Sequence, residues 1–390
     1  MGKQNLKNTH NQKKIMNVIQ VYQTDPFNDG QGGGVRYVRN LVFGLSGYCD
    51  SILFIGIGSK KHKKGNISNI PITKGLTGYI RFLITLLIKL PFINLRKYDI
   101  VHVHRLYFAI PFIILKPGLK VVCSLHGRTF SVFESKYGSK TLGLVRMIFE
   151  KIELFCLKNI DYLVPVSQDV VDSFEKKYKS FRLYNRKILP SMFDFSKFKI
   201  LNSTFLQEEY GYSNNYVLFL GRLAAVKDIE FLIELWSERF QETKNVKLVL
   251  AGDGELSSRL HNLSSKLCNY NTPIFLGEVN PICVPDLISC VNLCVLGSKH
   301  EASPTIIKEA LSSGIPIVTN KVGDVEQFII ENQNGRIVKK TIDEYEAAIR
   351  YFLEVNLNKQ DVLRCSDEAL KKCSVEDICK QFYLIYKAVC

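Results

Sequence analysis

Two glutamates separated by seven residues stand out in the run Lys299-His-Glu301-Ala-Ser-Pro-Thr-Ile-Ile-Lys-Glu309. The run follows a short apolar stretch, Leu293–Gly297, that reads as a strand. Ser303 is a good N-cap and Pro304 a good first helical residue, so the sequence predicts a helix starting there. The first amides of such a helix present donors and a positive dipole end to a diphosphate. Glu301 falls in the loop before the helix, where a carboxylate can reach a reacting sugar. Glu309 falls more than a turn inside, where it can accept hydrogen bonds from ribose hydroxyls.

Three further motifs fit the same chemistry. Gly221-Arg-Leu-Ala-Ala-Val-Lys227 directly follows the apolar run ending at Leu220, and a guanidinium and an ammonium at a strand-to-helix turn can clamp a diphosphate. Gly32-Gly33-Gly34 leads into the amphipathic stretch Val35–Leu45, and glycines let a backbone approach a phosphate closely. The spacing of these glycines does not fit a nicotinamide-binding fingerprint. Ser124-Leu-His126-Gly127 ends another apolar run, where an imidazole can contact a sugar hydroxyl or a phosphate oxygen. His102 and His104 alternate on the preceding run and share a face. With no carboxylate at ligand spacing they read as structural, acceptor-side contact remaining open.

This set of motifs resembles the retaining GT-B glycosyltransferases of family four, whose signature is a glutamate pair with the spacing of Glu301 and Glu309. The resemblance implies that Glu301 holds the donor sugar near its reacting carbon and that Glu309 binds the ribose. Arg222 and Lys227 match the family's Gly-Arg, short loop and Lys. Gly33 and Gly34 match a glycine pair that faces the diphosphate from the other domain, and His126 matches a family histidine. Ser303, Pro304 and Thr305 belong to a variant of the stretch after the first glutamate, found in members that build surface polysaccharides. Ala251-Gly-Asp-Gly254 resembles the family's Gly-Asp-Gly turn, and Phe275-Leu-Gly-Glu-Val279 the segment holding the nucleoside base. Gly323-Asp324 stands where many members have Gly-Gly, and Pro190-Ser-Met-Phe-Asp194 departs from Pro-Asn-Gly-Val-Asp.

The elements that must position these residues follow from the apolar pattern. Strands are predicted at Ile15–Gln23, Ser51–Gly58, Asp99–Leu106, Leu119–Gly127 and Tyr162–Ser167. Five more are predicted at Tyr216–Gly221, Lys247–Gly252, Pro273–Gly277, Leu293–Gly297 and Pro316–Asn320. Near-continuous apolar runs such as Val217–Leu220 suit parallel strands covered on both faces, and the helical intervals imply βαβ units. At 390 residues, the chain suits two α/β domains of similar size. The expected division is a disordered basic tail over 1–14, a Rossmann-like acceptor domain over 15–195, and a Rossmann-like nucleotide-sugar domain over 196–374. A C-terminal helix at about 375–390 packs back on the first domain in this scheme. Two doubly wound sheets facing each other leave a cleft between their strand ends, where ligands bind.

Charge is unevenly divided: residues 1–195 hold 30 Lys/Arg against 12 Asp/Glu, or +18, and the remainder holds 22 against 25. A basic first half fits an anionic partner, and no nucleic-acid-binding pattern accompanies it. Leu76–Leu95 is the most hydrophobic stretch, but Arg81, Lys89 and Pro91 make it a poor membrane span. It reads as a helix lying on a bilayer, with Lys60, Lys61, Lys63 and Lys64 adding attraction, or as a core helix. The opening residues show no secretory signal or myristoylation pattern, and the eleven scattered cysteines read as reduced cytosolic thiols.

Together these readings give a transferase using a UDP- or GDP-sugar donor, without a metal, since no Asp-x-Asp clamp is apparent. Family resemblance implies retention. The expected acceptor is a glycan or lipid-linked saccharide at the inner face of the cell membrane, in bacterial polysaccharide or lipopolysaccharide assembly. A sugar-nucleotide 2-epimerase of the same architecture and an inactive, membrane-docked partner of another transferase are the alternatives.

Overall fold

The computed structural model describes residues 16–28, 33–75, 78–127, 143–179, 182–211 and 215–390. The expected tail at 1–14, Gly32 and the start of the 76–95 stretch lie outside the described residues.

The first sheet contains β1 (Asn17–Val21), β2 (Ser51–Ile57), β3 (Lys63–Lys64), β4 (Ile67–Thr73), β5 (Ile100–Val103), β6 (Lys120–Leu125) and β7 (Tyr162–Pro165). Their order is β3-β4-β2-β1-β5-β6-β7, and every pairing is parallel except β3 with β4. The second sheet contains β8 (Asn215–Leu220), β9 (Val246–Ala251), β10 (Ile274–Gly277), β11 (Leu293–Leu296), β12 (Ile317–Asn320) and β13 (Gly335–Val338), in the order β10-β9-β8-β11-β12-β13. It is parallel throughout. In each sheet the winding reverses beside the first strand, which opens a crevice at the strand ends.

Strands β3, β4 and β13 are not among the ten expected. β4 carries Ser68, Asn69 and Pro71 among its isoleucines, which breaks the apolar run; β13 has only four residues and sits at a sheet edge. Both take their pairing from a neighbouring strand rather than from local propensity.

The helix Val375–Val389 crosses back to the first sheet. Ile378, Phe382 and Tyr386 share a core with Val18, Ile52 and Val122, and Cys379 packs beside Gly44 of the helix Gly33–Leu45. The crossing is braced where the Phe193 amide donates to the Cys373 carbonyl at 2.8 Å.

On the opposite face of the first sheet lies the helix Tyr79–Lys89. Phe82 and Leu86 are buried in the core there, whereas Ile80, Ile84 and Ile88 are exposed. Phe92, just beyond, is 88% exposed. The stretch is therefore a core helix on its inner side and an uncovered apolar face on its outer side. Two details differ from expectation. Lys89 donates to the Ile72 carbonyl at 2.7 Å, and Lys64 lies over the Phe43 ring of the other helical layer. Among the described residues no helix is long and apolar enough to cross a membrane.

Beneath the strand ends runs a buried polar chain. Gln20 donates to the Tyr386 hydroxyl at 3.0 Å, which bonds His102 Nδ1 at 2.7 Å, while His102 Nε2 meets the Ser124 hydroxyl at 2.8 Å. A neutral imidazole protonated on Nε2 satisfies every partner. Burial, reinforced by His126, pushes His102 down to about 3. A histidine whose folded value lies below its unfolded 6.5 supplies stability that is complete above 6.5 and drains as pH falls toward the folded value. Unfolding free energy from urea melts should accordingly decline from pH 6.5 downward; a flat profile would remove the buried histidines from the stability balance. Tyr386→Phe should cost about 1–3 kcal/mol at neutral pH by leaving His102 and Gln20 without their partner.

Candidate active site

On the second domain, β8 runs into Gly221, Arg222 and a turn ending at Lys227. The Gly252-Asp-Gly254 turn after β9 lies against it, so closely that a Cβ on Gly252 would sit 1.9 Å from the Gly221 carbonyl oxygen. Only glycine fits there, and Gly252 also takes a φ of +134°. Lys227 forms an ion pair with Glu301, whose Oε1 also accepts from the Ser298 hydroxyl at 2.8 Å. Residues read separately from the sequence as diphosphate clamp and sugar-binding carboxylate thus form one unit. Arg222 is 72% exposed and reaches Glu255 at 3.0 Å, so its charge is solvated rather than buried in the cleft.

The helix after β11 spans Thr305–Ser312, one residue later than expected. Pro304 occupies the N-cap position in an extended conformation, and no side chain caps the helix. Ser303 does not cap because its hydroxyl is engaged elsewhere. It donates to Asp324 Oδ2 at 2.5 Å and accepts from Lys308 Nζ at 2.6 Å and from the Ser191 amide at 3.2 Å. The helix therefore opens with amides that no side chain has claimed, a ready anion site. Glu309 is buried one turn inside; desolvation raises its carboxyl above the usual range, against the opposing pull of Arg36.

The first domain supplies the facing wall. Gly33 and Gly34 open the helix Gly33–Leu45, which brings Arg36 and Tyr37 to the cleft. His126 follows β6, with its ring centroid 4.5 Å from that of Tyr37 and 5.8 Å from that of His104. Burial first, and the charge of Arg105 second, lower the His126 imidazole to about 4, so it is neutral at ordinary pH. Its Nε2 has no hydrogen-bond partner among the described residues.

These groups line one cleft of about 780 Å³. Of the residues singled out in the sequence, Glu301, His126, Gly33, Gly34, Arg222, Lys227, Val279, Ser303, Pro304, Thr305 and Glu309 line it, whereas His102 and His104 do not. Arg36 and Tyr37 belong to the same wall but carry no spacing signal, lying on an ordinary amphipathic helix. The signal for Asp324 was its place beside Gly323, where the expected pattern has a second glycine.

Known proteins bear on this site directly. The profile of the family described as Glycosyltransferase Family 4 matches residues 31–184, and that of Glycosyl transferases group 1 matches residues 207–371. The chain belongs to the family 4, group 1 glycosyltransferases. This glycosyltransferase is 24% identical over 314 residues to an uncharacterized glycosyltransferase of Methanocaldococcus jannaschii, covering 77% of each chain. It is 26% identical over 263 residues to the UDP-Gal:alpha-D-GlcNAc-diphosphoundecaprenol alpha-1,3-galactosyltransferase of Escherichia coli, covering 63% of this chain and 62% of that one. Among solved structures, Anabaena HepE in complex with UDP and glucose superposes with a TM-score of 0.72 at 18% identity, over 96% of this chain and 100% of that one. The shared architecture is the GT-B fold, with two Rossmann-like domains.

In this glycosyltransferase the loop carrying Glu301 is held from behind. Lys308 is fully buried, 3.6 Å from Asp324 Oδ2 and 4.9 Å from the Phe328 ring centroid. Gly323, with φ +57°, lets the neighbouring turn pass so close that a Cβ would lie 2.7 Å from the Ala302 carbonyl oxygen. The Gly323 amide in turn donates to Asp169 of the first domain at 2.9 Å. Removing one charge from a buried pair costs about 3–5 kcal/mol, whereas replacing both by apolar groups is often neutral. Lys308→Met should therefore lower the unfolding free energy by that amount, and adding Asp324→Leu should recover most of it. Chemical denaturation of the two variants checks this; equal losses would mean that the pair is not coupled.

Proposed function

We propose that the protein is a retaining transferase that moves a sugar from a UDP- or GDP-sugar to a lipid-linked saccharide at the inner face of a bacterial membrane, in polysaccharide or lipopolysaccharide assembly. One observation carries the donor reading. An uncapped helix terminus, the Lys227–Glu301 pair and buried Glu309 converge on one cleft between two Rossmann-like domains. In this reading the diphosphate lies on the amides that open the helix Thr305–Ser312, beside Lys227. Glu309 accepts from the ribose hydroxyls, and Val279 lies along the base. Arg222 contributes from the rim, exposed as it is.

Glu301 faces the sugar. Its Oε1 is already occupied by Lys227 and Ser298, which suits a carboxylate that holds sugar hydroxyls better than one that attacks carbon. The acceptor oxygen then bonds to the anomeric carbon on the face from which the diphosphate leaves. The breaking bond delivers its electron pair to the phosphate oxygen, and that oxygen takes the acceptor's proton. Lys227 and the helix dipole stabilise the charge gathered there, so the reaction needs no metal. His126, neutral and unpaired at Nε2, is suited to hydrogen-bond a sugar hydroxyl.

Glu301→Ala should abolish transfer while largely preserving nucleotide affinity, measured by calorimetry beside a radiolabelled-sugar assay. Wild-type turnover in that variant would remove Glu301 from the reaction. Lys227→Ala should cost about 1.5–3 kcal/mol in donor binding, and exposed Arg222→Ala less. Activity should survive EDTA; complete loss restored by magnesium or manganese would contradict the metal-free clamp. Release of epimerised nucleotide sugar would instead identify a 2-epimerase.

The membrane half of the reading rests on Ile80, Ile84, Ile88 and Phe92, an exposed apolar row in the half of the chain, residues 1–195, that carries the +18 charge excess. Apolar insertion and attraction to anionic headgroups act together in such a face. Co-sedimentation with vesicles containing anionic lipid should be salt-sensitive and should be lost in the double variant Ile84→Glu/Ile88→Glu. Binding indifferent to both changes would defeat membrane docking and leave the transfer reaction untouched.

A further inference from the structure

Among the described residues Arg105 is a cation without an anion. It follows β5 at the strand-end face of the first domain, between the ends of β1 and β6. Among the described residues it forms no ion pair, and its buried Nε has no hydrogen-bond partner. Its guanidinium lies 4.2 Å from the Tyr79 ring centroid and 5.8 Å from that of Tyr22, and it donates to the Tyr79 hydroxyl at 3.1 Å. Three tyrosines, Tyr22, Tyr79 and Tyr107, hydrogen-bond and orient the fork through neutral hydroxyls and supply no negative charge. Taking an ion out of water is costly unless an opposite charge meets it.

The surroundings share this incompleteness. Among the described residues His104 Nδ1 and His126 Nε2, at the same end of the strands, are also buried and unpaired. Buried polar groups are paired in the great majority of cases, so a cluster of orphans marks a place where something else binds. In the proposed reading the donor's phosphates meet Lys227, the start of the helix Thr305–Ser312 and the Gly33-Gly34 turn, and Arg105 is not among the residues lining that cleft. Tyr79, which Arg105 grips, is the first residue of the helix whose exposed outer face carries Ile80, Ile84 and Ile88. Arg105 thus stands between that face and His126, close enough to the latter for its charge to depress the imidazole.

We infer that Arg105, oriented by Tyr22 and Tyr79, is the binding site for a phosphate or diphosphate group carried by the acceptor. The planar fork suits bidentate recognition of phosphate oxygens. The inference deepens the reading of the first domain as the acceptor side and rests on the donor occupying the second. The phosphate can belong to a lipid-linked saccharide entering along the apolar helix or to a water-soluble sugar phosphate.

The test uses the full chain with its donor site filled. UDP and GDP are titrated first, and the one that binds is kept at saturation. Inorganic pyrophosphate is then titrated into wild type, Arg105→Gln and Arg105→Lys. Wild type should bind pyrophosphate beside the nucleotide, and both variants should bind it roughly ten-fold or more weakly with nucleotide affinity unchanged. If Arg105→Gln fails to fold, Arg105→Lys alone reads the result, since it keeps the charge and loses the fork. Neutral phosphatidylcholine vesicles carrying farnesyl diphosphate, compared with free glucose 1-phosphate, then identify the source: preference for either, abolished in the variants, supports the site. Pyrophosphate binding that is absent in wild type, or equal in the variants, overturns it. Parallel loss of nucleotide assigns Arg105 to the donor and overturns it as well. Failure of wild type to bind either nucleotide would instead sink the donor-site reading, while an Arg105-dependent pyrophosphate site would still stand.

Discussion

The hydroxyl of Ser303 is the point on which the second-domain side of the cleft hangs. It gives its proton to Asp324 and receives hydrogen bonds from Lys308 and from the Ser191 amide, which uses every donor and acceptor it has. Ser191 lies in the segment joining the two sheets, Lys308 in the helix that opens onto the cleft, and Asp324 in the turn after β12. One small group therefore registers three separate pieces of chain. The arrangement requires a lysine and an aspartate to be taken out of water, and burial accordingly raises the Asp324 carboxyl above its usual range despite Lys308 beside it. Such a pair adds little net stability but penalises any other arrangement of the loop, because a misplaced partner leaves a naked charge.

With Ser303 so engaged, the helix Thr305–Ser312 begins without a side-chain cap. The missing cap and the buried ion pair are two aspects of one choice: the residue best suited to satisfy the helix terminus is committed to holding the loop. The unclaimed amides then face the cleft, where an anionic ligand can take the place of the cap. The Lys227–Glu301 pair next to them works in the same sense, fixing a carboxylate and a cation side by side at the cleft wall.

The first domain follows a different logic. Among the described residues its strand ends carry histidines kept neutral by burial, tyrosines and the Arg105 guanidinium. The polar chain from Ser124 through His102 to Tyr386 ties the helix Val375–Val389 to this wall, so that helix helps shape the first-domain face of the cleft. On the outside, the helix Tyr79–Lys89 buries one side in the core and leaves the other apolar and uncovered. A single helix thereby joins the protein's exterior to Tyr79 and Arg105 at the strand-end face.

Much of this could be read from the chain alone, and the reasons are local. Runs such as Val217–Leu220 are apolar on both faces, which only a covered parallel strand tolerates. The glutamate pair, the Gly-Arg-to-Lys turn and the glycines before residue 35 each lie at a strand end or helix start, where the fold itself fixes their direction. What required tertiary structure was every property set by partners distant in sequence. Ser303 looks like a cap until Lys308, Asp324 and Ser191 claim it, the last across 112 residues. Arg222 looks like a buried clamp until its side chain turns to Glu255 in solvent. Strands β3, β4 and β13 exist because a neighbour supplies hydrogen bonds that their composition does not demand. Arg105 has no motif around it; only the meeting of three strand ends and a helix start reveals a charge with no counter-charge among the described residues, because charge balance is a property of space and not of sequence.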